Sequence, residues 1–542
     1  MKNTLLKLYQ NQIFIWFCYL VVAGLLYFRV LNNFFASDDF HWLSLAKNRP
    51  WDWSIFVTNY EGLRFGGSYN PVLFILWKIF YNIFHLHYQW YHLFSILLHA
   101  TNAWLVYILA KNLLARYQVR SAYWASVSGL FFLIWPVQVE VVSWIAAWPH
   151  LWATFFYLLS SILYLQFLTK KNISSILASI IFFILALFTK EIAMTLPVAI
   201  LIFSWQQKSK IDWKKIWPYF IILVVFFALR WQATGQLFGY YGQTSLGFKV
   251  VDYIGNLAVM SLDWASAGYF RSLAYQVWYH FPWILVISLS LFLLVYILYL
   301  WRSRKIDRLY IFVLLLLTCL PVLPLGLHRS TFAGERYLYL PTVFFVIWFF
   351  SVIANLRVNI KIKMFIVFFI AICSMVIINN KNIIWFKAAH LSEQIVSSYK
   401  DLDLESGTKL ISVALPDNLQ GAEVFRNNLQ QALELYYPDG HPEILSLPVY
   451  VQLRDYDVNR YLLHWRMDDK GWFLESVDHS FIVTGLTSIT VNQVYFELWH
   501  YNYQNFTANL IRLIPEADLL SSFQDGTIHW LTFDQGKLRI GK

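Results

Sequence analysis

The sequence predicts a polytopic α-helical membrane protein with about eleven transmembrane helices and a C-terminal α+β domain outside the membrane. Three observations carry this prediction. The 542 residues are 58% apolar, 20% aromatic and only 13% charged, about half the charge of an ordinary soluble chain. Apolar runs of spanning length recur as far as residue 379. Beyond residue 384 the character changes: residues 1–384 hold 11 acids and residues 385–542 hold 20.

The runs fall at 13–31, 90–110, 122–139, 143–168, 173–189, 191–205, 216–232, 281–301, 309–327, 337–355 and 362–379. No small-residue cleavage site follows the first, so it reads as a retained signal anchor. With a cytoplasmic N-terminus, the inner segments carry 18 Lys and Arg against two acids, Asp212 and Asp307, which is the positive-inside signature. The net charge of +11 therefore belongs to the membrane part and argues against a nucleic-acid partner. Cys18, Cys319 and Cys373 all lie in apolar runs, which excludes a disulfide framework and a thiolate metal site.

The other nine acids of residues 1–384 fall on the outer side or at the outer ends of spans: Asp38, Asp39, Asp52, Glu61, Glu140, Glu191, Asp252, Asp263 and Glu335. Outer loops are expected at 32–89 and 233–280. Within the first, Val72–Phe84 is too short to cross and reads as an interfacial helix, with Lys78 and His85 reaching to water. In the C-terminal part, 410–414, 447–453 and 488–499 read as strands, and Gly421–Tyr437 reads as a helix.

Four stretches carry candidate chemistry. Asp38 and Asp39 follow the first span; an adjacent carboxylate pair suits a general base, and equally suits the start of a short helix over residues 39–47. Glu140 stands between apolar runs in Pro136-Val137-Gln138-Val139-Glu140, where a carboxylate costs about 2.5–3.5 kcal/mol at mid-bilayer and usually faces a polar cavity. Lys190-Glu191 interrupts the apolar stretch from Ile173 to Trp205, where Gly, Asn or Pro would be the usual turn. His328-Arg329 and Glu335-Arg336 precede Pro341 and a helix start, so that fixed positive charge and free backbone N–H groups suit a phosphate.

These pieces, with Val142-Ser143-Trp144-Ile145, Thr189-Lys190-Glu191 and Gly334-Glu335-Arg336-Tyr337-Leu338-Tyr339-Leu340-Pro341, together resemble the GT-C superfamily of glycosyltransferases that use polyprenyl-phosphate sugars. The resemblance runs over about residues 10–380 and is closest to the membrane part of the tetratricopeptide-repeat O-mannosyltransferases and their bacterial relatives. It implies a GT-C-like domain over 1–384 in a membrane that is bacterial and cytoplasmic, followed by an extracytoplasmic domain over 385–542. It implies a catalytic acid among Asp38 and Asp39, without choosing between them, and donor-phosphate contacts from Arg336, Arg329 and Lys190. Glu140, Glu191, Glu335, His150, Tyr69 and Asn70 would line the substrate cavity.

The implied partners are a polyprenyl-phosphate sugar, a hydroxyl-bearing acceptor on protein, glycan or lipid, and membrane lipid. No cofactor is called for, and a divalent metal is compatible but not required. The chain departs from the pattern at Trp135-Pro136-Val137, where members often have His-Pro-Val, at Ala147-Trp148-Pro149-His150, where they have Gly-Arg and an acid, and at Tyr69-Asn70-Pro71, where they have Tyr-Arg-Pro. No tetratricopeptide repeats follow the last span. The reaction class is therefore what carries over, not the sugar or the acceptor. The competing expectations are a transporter of a lipid-linked saccharide and an inactive relative that acts as a binding protein.

Overall fold

The computed structural model describes residues 11–541 except 63–66, 116–120, 208, 210, 238–249, 267, 270, 272–276, 278–279, 281–282, 284–286, 288–306, 326, 328–330, 403, 405–406, 454–462, 469–470, 477–479, 484–487, 492, 500–506 and 509. Two compact units emerge. One is Met1–Leu31 with Arg49–Asn382, and the other is Asn32–Asn48 with Ile383–Lys542.

The first unit is built of apolar helices whose ends follow local rules. Asn11 starts the helix Gln12–Tyr27 by accepting from the N–H groups of Ile13 and Phe14, and Asn172 starts Ile173–Thr189 by accepting from Ser174 N–H. Among the described residues six helices are long and apolar enough to span: Gln12–Asn32, Tyr88–Leu114, Ile145–Lys170, Trp213–Thr234, Glu335–Ala354 and Ile360–Asp401, the last running on into the second unit. The pair Ser121–Leu133 and Pro136–Ser143, bent by 47°, makes up to seven. Eleven were expected. Ile173–Thr189, Glu191–Gln206 and Leu309–Cys319 form but are shorter; seventeen residues rise only about 26 Å, against a hydrocarbon core of about 30 Å. The expected span 281–301 lies outside the described residues.

Small and polar residues let these helices approach closely. Ser160 and Ser179 exchange hydroxyl-to-carbonyl bonds of 2.7 and 2.8 Å between Trp148–Lys170 and Ile173–Thr189. A Cβ on Gly129 would lie 2.7 Å from both the Ala103 carbonyl oxygen and the Tyr19 hydroxyl, so only glycine fits there. The interfacial stretch is the helix Pro71–Phe84, with His85 exposed as expected, but Lys78 is buried and donates to the Arg49 carbonyl. A carbonyl in reach satisfies the ammonium better than a long excursion to water.

The described residues of the second unit form three sheets. Lys409–Ser412 lies between the parallel strands Ile528–Asp534 and Glu443–Ser446, and Lys537–Gly541 closes the edge antiparallel to Ile528–Asp534. After a left-handed Ala414 (φ 59°) the chain continues as Leu415–Leu419, parallel to Val449–Leu453. The helix Leu429–Tyr436 is the crossover between the parallel strands. Leu463–Asp468, Gly471–Ser476, Leu510–Pro515, Val494–Trp499 and Ser488–Val491 form an antiparallel sheet.

The expected strand 488–499 is thus two strands, turning at Gln493 (φ 62°). The expected helix 421–437 is shortened to Leu429–Tyr436, because Gly421 (φ 111°) and Asn428 (φ 74°) are left-handed and Ala422–Glu423 is a strand.

Candidate functional site

In the first unit a chain break builds the site. Pro136 opens a single turn, Pro136–Gln138, and the extended Trp144 stops the next, Val139–Ser143. Glu140 is thereby carried into the interior, where it is fully buried. Its Oε2 accepts from Arg336 N–H at 2.9 Å, its Oε1 from Gly334 N–H at 3.3 Å, and the Arg336 guanidinium pairs with it. Gly334, at φ 90°, supplies the left-handed bend before the turn Glu335–Leu338. The helix-start N–H groups expected to face a phosphate therefore hold a carboxylate of the protein, the cheapest anion to place there once Glu140 is out of water.

Arg336 remains 22% exposed. Its guanidinium lies over the rings of Trp144 (5.1 Å) and Tyr337 (4.8 Å). His150 is buried and packs edge-on against Tyr337 at 5.5 Å; its Nδ1 makes no hydrogen bond among the described residues, and both Lys190 and Arg336 act on it electrostatically. Lys190 pairs with Glu191 at 3.3 Å, and Arg230 approaches Glu191 at 3.9 Å. Gln138 is fully buried with neither amide atom bonded among the described residues. The structure thus gathers Glu140, His150, Lys190, Glu191 and Arg336.

Behind the same turn lies a cluster of buried charge. Glu335 accepts from Lys381 Nζ at 2.5 and 2.7 Å and from Arg271 at 3.5 Å, while Arg271 makes a two-pronged pair with Asp263 at 3.0 and 2.7 Å. Arg271 also donates to the carbonyls of Thr331 (2.5 Å) and Ala333 (2.9 Å), which fixes the approach to Gly334. Gly268, at φ 87°, takes a conformation that other residues rarely adopt, and a Cβ there would also press on Glu335 Oε1 at 3.1 Å. With Glu140 and Arg336, three carboxylates meet three cations. Sequence reading missed Arg271 and Lys381. The polar run Asn379-Asn380-Lys381-Asn382 inside an apolar helix was the available signal.

Tyr69 and Asn70 precede the helix Pro71–Phe84 in the same unit. Tyr69 is fully buried, donates to the Phe56 carbonyl at 2.7 Å and packs on Phe188 and Phe226. Asn70 precedes the helix Pro71–Phe84 with its buried Oδ1 unbonded among the described residues. Arg329 lies outside the described residues.

The acid pair belongs to the second unit, at the start of the helix Asp38–Asn48. The two carboxylates differ. Asp39 is 1% exposed and its Oδ2 accepts from Ala36 N–H at 2.9 Å, folding back on the segment before the helix. Asp38 is half-buried; its Oδ1 accepts from the Asn428 side-chain amide at 3.3 Å, and its Oδ2 makes no hydrogen bond among the described residues. Arg426, held by both carboxylate oxygens of the buried Asp417, acts on Asp38 electrostatically. Among the described residues no group of three His, Cys, Asp or Glu is placed to hold a metal ion.

No family model matches the chain. It is similar to the protein O-mannosyl-transferase TMTC2 of Mus musculus and of Homo sapiens, 29% identical in each case over 159 residues, which is 28% of this chain and 18% of the relative. It is also similar to the protein O-mannosyl-transferase Tmtc1 of Drosophila melanogaster, 25% identical over 188 residues, 32% of this chain and 21% of the relative. The similarity spans about a fifth of the length of these curated relatives. The chain has a distant relationship to TMTC-type glycosyltransferases, and its apolar helices fit a membrane protein.

Proposed function

We propose that the protein is a GT-C-type membrane glycosyltransferase that moves a sugar from a polyprenyl-phosphate donor to an acceptor hydroxyl at the outer face of a bacterial cytoplasmic membrane. Asp38 carries this reading: a half-buried carboxylate with one oxygen held by a neutral amide and the other unbonded among the described residues is suited to taking a proton. The acceptor oxygen attacks the anomeric carbon, the bond from that carbon to the phosphate oxygen breaks with its electron pair going to the phosphate, and the hydroxyl proton passes to Asp38 Oδ2. Direct displacement inverts the anomeric carbon. Arg336, with Lys190, offsets the charge that grows on the leaving phosphate, and a phosphate needs no separate acid to leave. Asp39 shapes the helix start.

The proposed topology is a cytoplasmic N-terminus, eleven crossings and an extracytoplasmic C-terminal domain, supported by the 18-to-2 charge bias. A reporter fused after Lys542 is then active only outside the cytoplasm, and cytoplasmic activity would overturn this orientation. The function is tested in vesicles supplied with radiolabelled polyprenyl-phosphate sugars, mannose first. Label passes to acceptor in the wild type, and Asp38→Asn lowers turnover by about 10²–10⁴ while donor binding survives. Transfer that ignores the donor, or that Asp38→Asn leaves intact, sinks the reading.

A further inference from the structure

Two segments nearly four hundred residues apart in sequence meet at Asp38. Ser37 N–H donates to the Val424 carbonyl at 3.0 Å, and the Asn428 amide reaches the Ser37 carbonyl at 3.5 Å and Asp38 Oδ1 at 3.3 Å. Both Ser37 (φ 47°) and Asn428 (φ 74°) are left-handed, a conformation that Asn tolerates and other side chains rarely adopt. Packing alone already anchors the segment: Phe40 stacks on Phe425 at 5.1 Å, Phe34 on Tyr436 at 5.4 Å, and Ser392 donates to the Phe35 carbonyl at 2.6 Å. These contacts hold the segment independently of Asp38. What the amide adds is a donor on one chosen carboxylate oxygen.

We infer that Asn428, on the loop Val424–Asn428, is a positioning residue for Asp38. This rests on the reading of Asp38 as proton acceptor. The amide of Asn428 holds Oδ1, and Oδ2 makes no hydrogen bond among the described residues. The charged groups around Asp38 are Asp39 on its own helix and Arg426 from the facing loop, with Asp417 and Glu423 behind Arg426. Arg426 is held at its place by Asp417, whose second partner is the Asn418 amide.

The test uses two variants of the full chain that preserve the left-handed backbone. Asn428→Gly removes the amide, and Asn428→Asp replaces a donor with a second carboxylate. Each is measured for kcat, for KM toward radiolabelled polyprenyl-phosphate mannose and for the pH profile of transfer, beside Asp38→Asn. The expected result is a kcat for Asn428→Gly lowered about tenfold or more with KM within about twofold, and for Asn428→Asp an acid limb moved to higher pH by about one unit.

Should Asn428→Gly fail to fold, Asn428→Asp decides alone, since it keeps size and backbone preference. Wild-type kcat and pH profile in both variants, with Asp38→Asn inactive, overturns the positioning role and leaves the base assignment standing. Full transfer by Asp38→Asn overturns both.

Discussion

The charged groups of the two units are arranged in opposite ways. In the first, Glu335, Lys381, Arg271 and Asp263 are all but fully buried and close on one another with ionic hydrogen bonds on every side. In the second, Asp38 is half-buried, touches a neutral amide directly and interacts electrostatically with Arg426, a guanidinium already committed to Asp417. A closed ionic cluster holds backbone in place. A carboxylate with one free oxygen can still react. Arg336 stands between these cases, paired with the buried Glu140 and yet 22% exposed.

The sharpest way to break the comparison is at Lys381. Lys381→Met leaves Glu335 buried with one cation fewer, which costs about 3–5 kcal/mol. The thermal unfolding midpoint in detergent is expected to fall by several degrees, and Lys381→Met with Glu335→Leu to recover much of it, because removing both charges spares the desolvation. An unchanged midpoint for the single variant would mean that the cluster is not closed.

Arg336→Ala is the next largest effect. Loss of a charge-assisted phosphate contact is worth on the order of 2 kcal/mol, or about thirtyfold in kcat/KM for the lipid-linked donor. If donor use is unaltered and only the unfolding midpoint drops, Arg336 belongs with the closed cluster and not with the reaction.

The smallest effect is expected at Asp39. Asn keeps the size of Asp39 and an oxygen that can accept from Ala36 N–H, so Asp39→Asn retains transfer within about twofold of wild type. A loss as deep as that of Asp38→Asn would reverse the roles of the two neighbours. Transfer rates of the two single variants, measured side by side, decide it.

Much of the architecture was legible because it depends on sums over short windows. Apolar runs of about twenty residues carry enough transfer free energy to announce membrane helices, and the change in charge density after residue 384 marks a different kind of chain. The count of crossings was less legible. Ile173–Thr189 and Glu191–Gln206 are apolar enough but short, and the 122–139 run breaks at Trp135-Pro136. Hydropathy reports composition, while length and bend depend on where the helices stop.

By itself the sequence determined that this is a helical membrane protein with a strand-containing C-terminal part, and it singled out Asp38, Asp39, Glu140, Lys190, Glu191, Glu335 and Arg336 as residues that need a reason to be where they are. Only the tertiary structure decided their partners. Glu140 meets Arg336 across 196 positions, Glu335 meets Lys381 across 46, and Asn428 reaches Asp38 across 390. A buried charge takes the counter-charge that the fold brings within hydrogen-bond reach, and that reach is set by helix packing and loop closure, which no local pattern of residues encodes. Asp38 and its neighbour differ in the same respect: Asp39 folds back on the N–H of Ala36, three residues away, whereas Asp38 meets an amide that only loop closure brings to it.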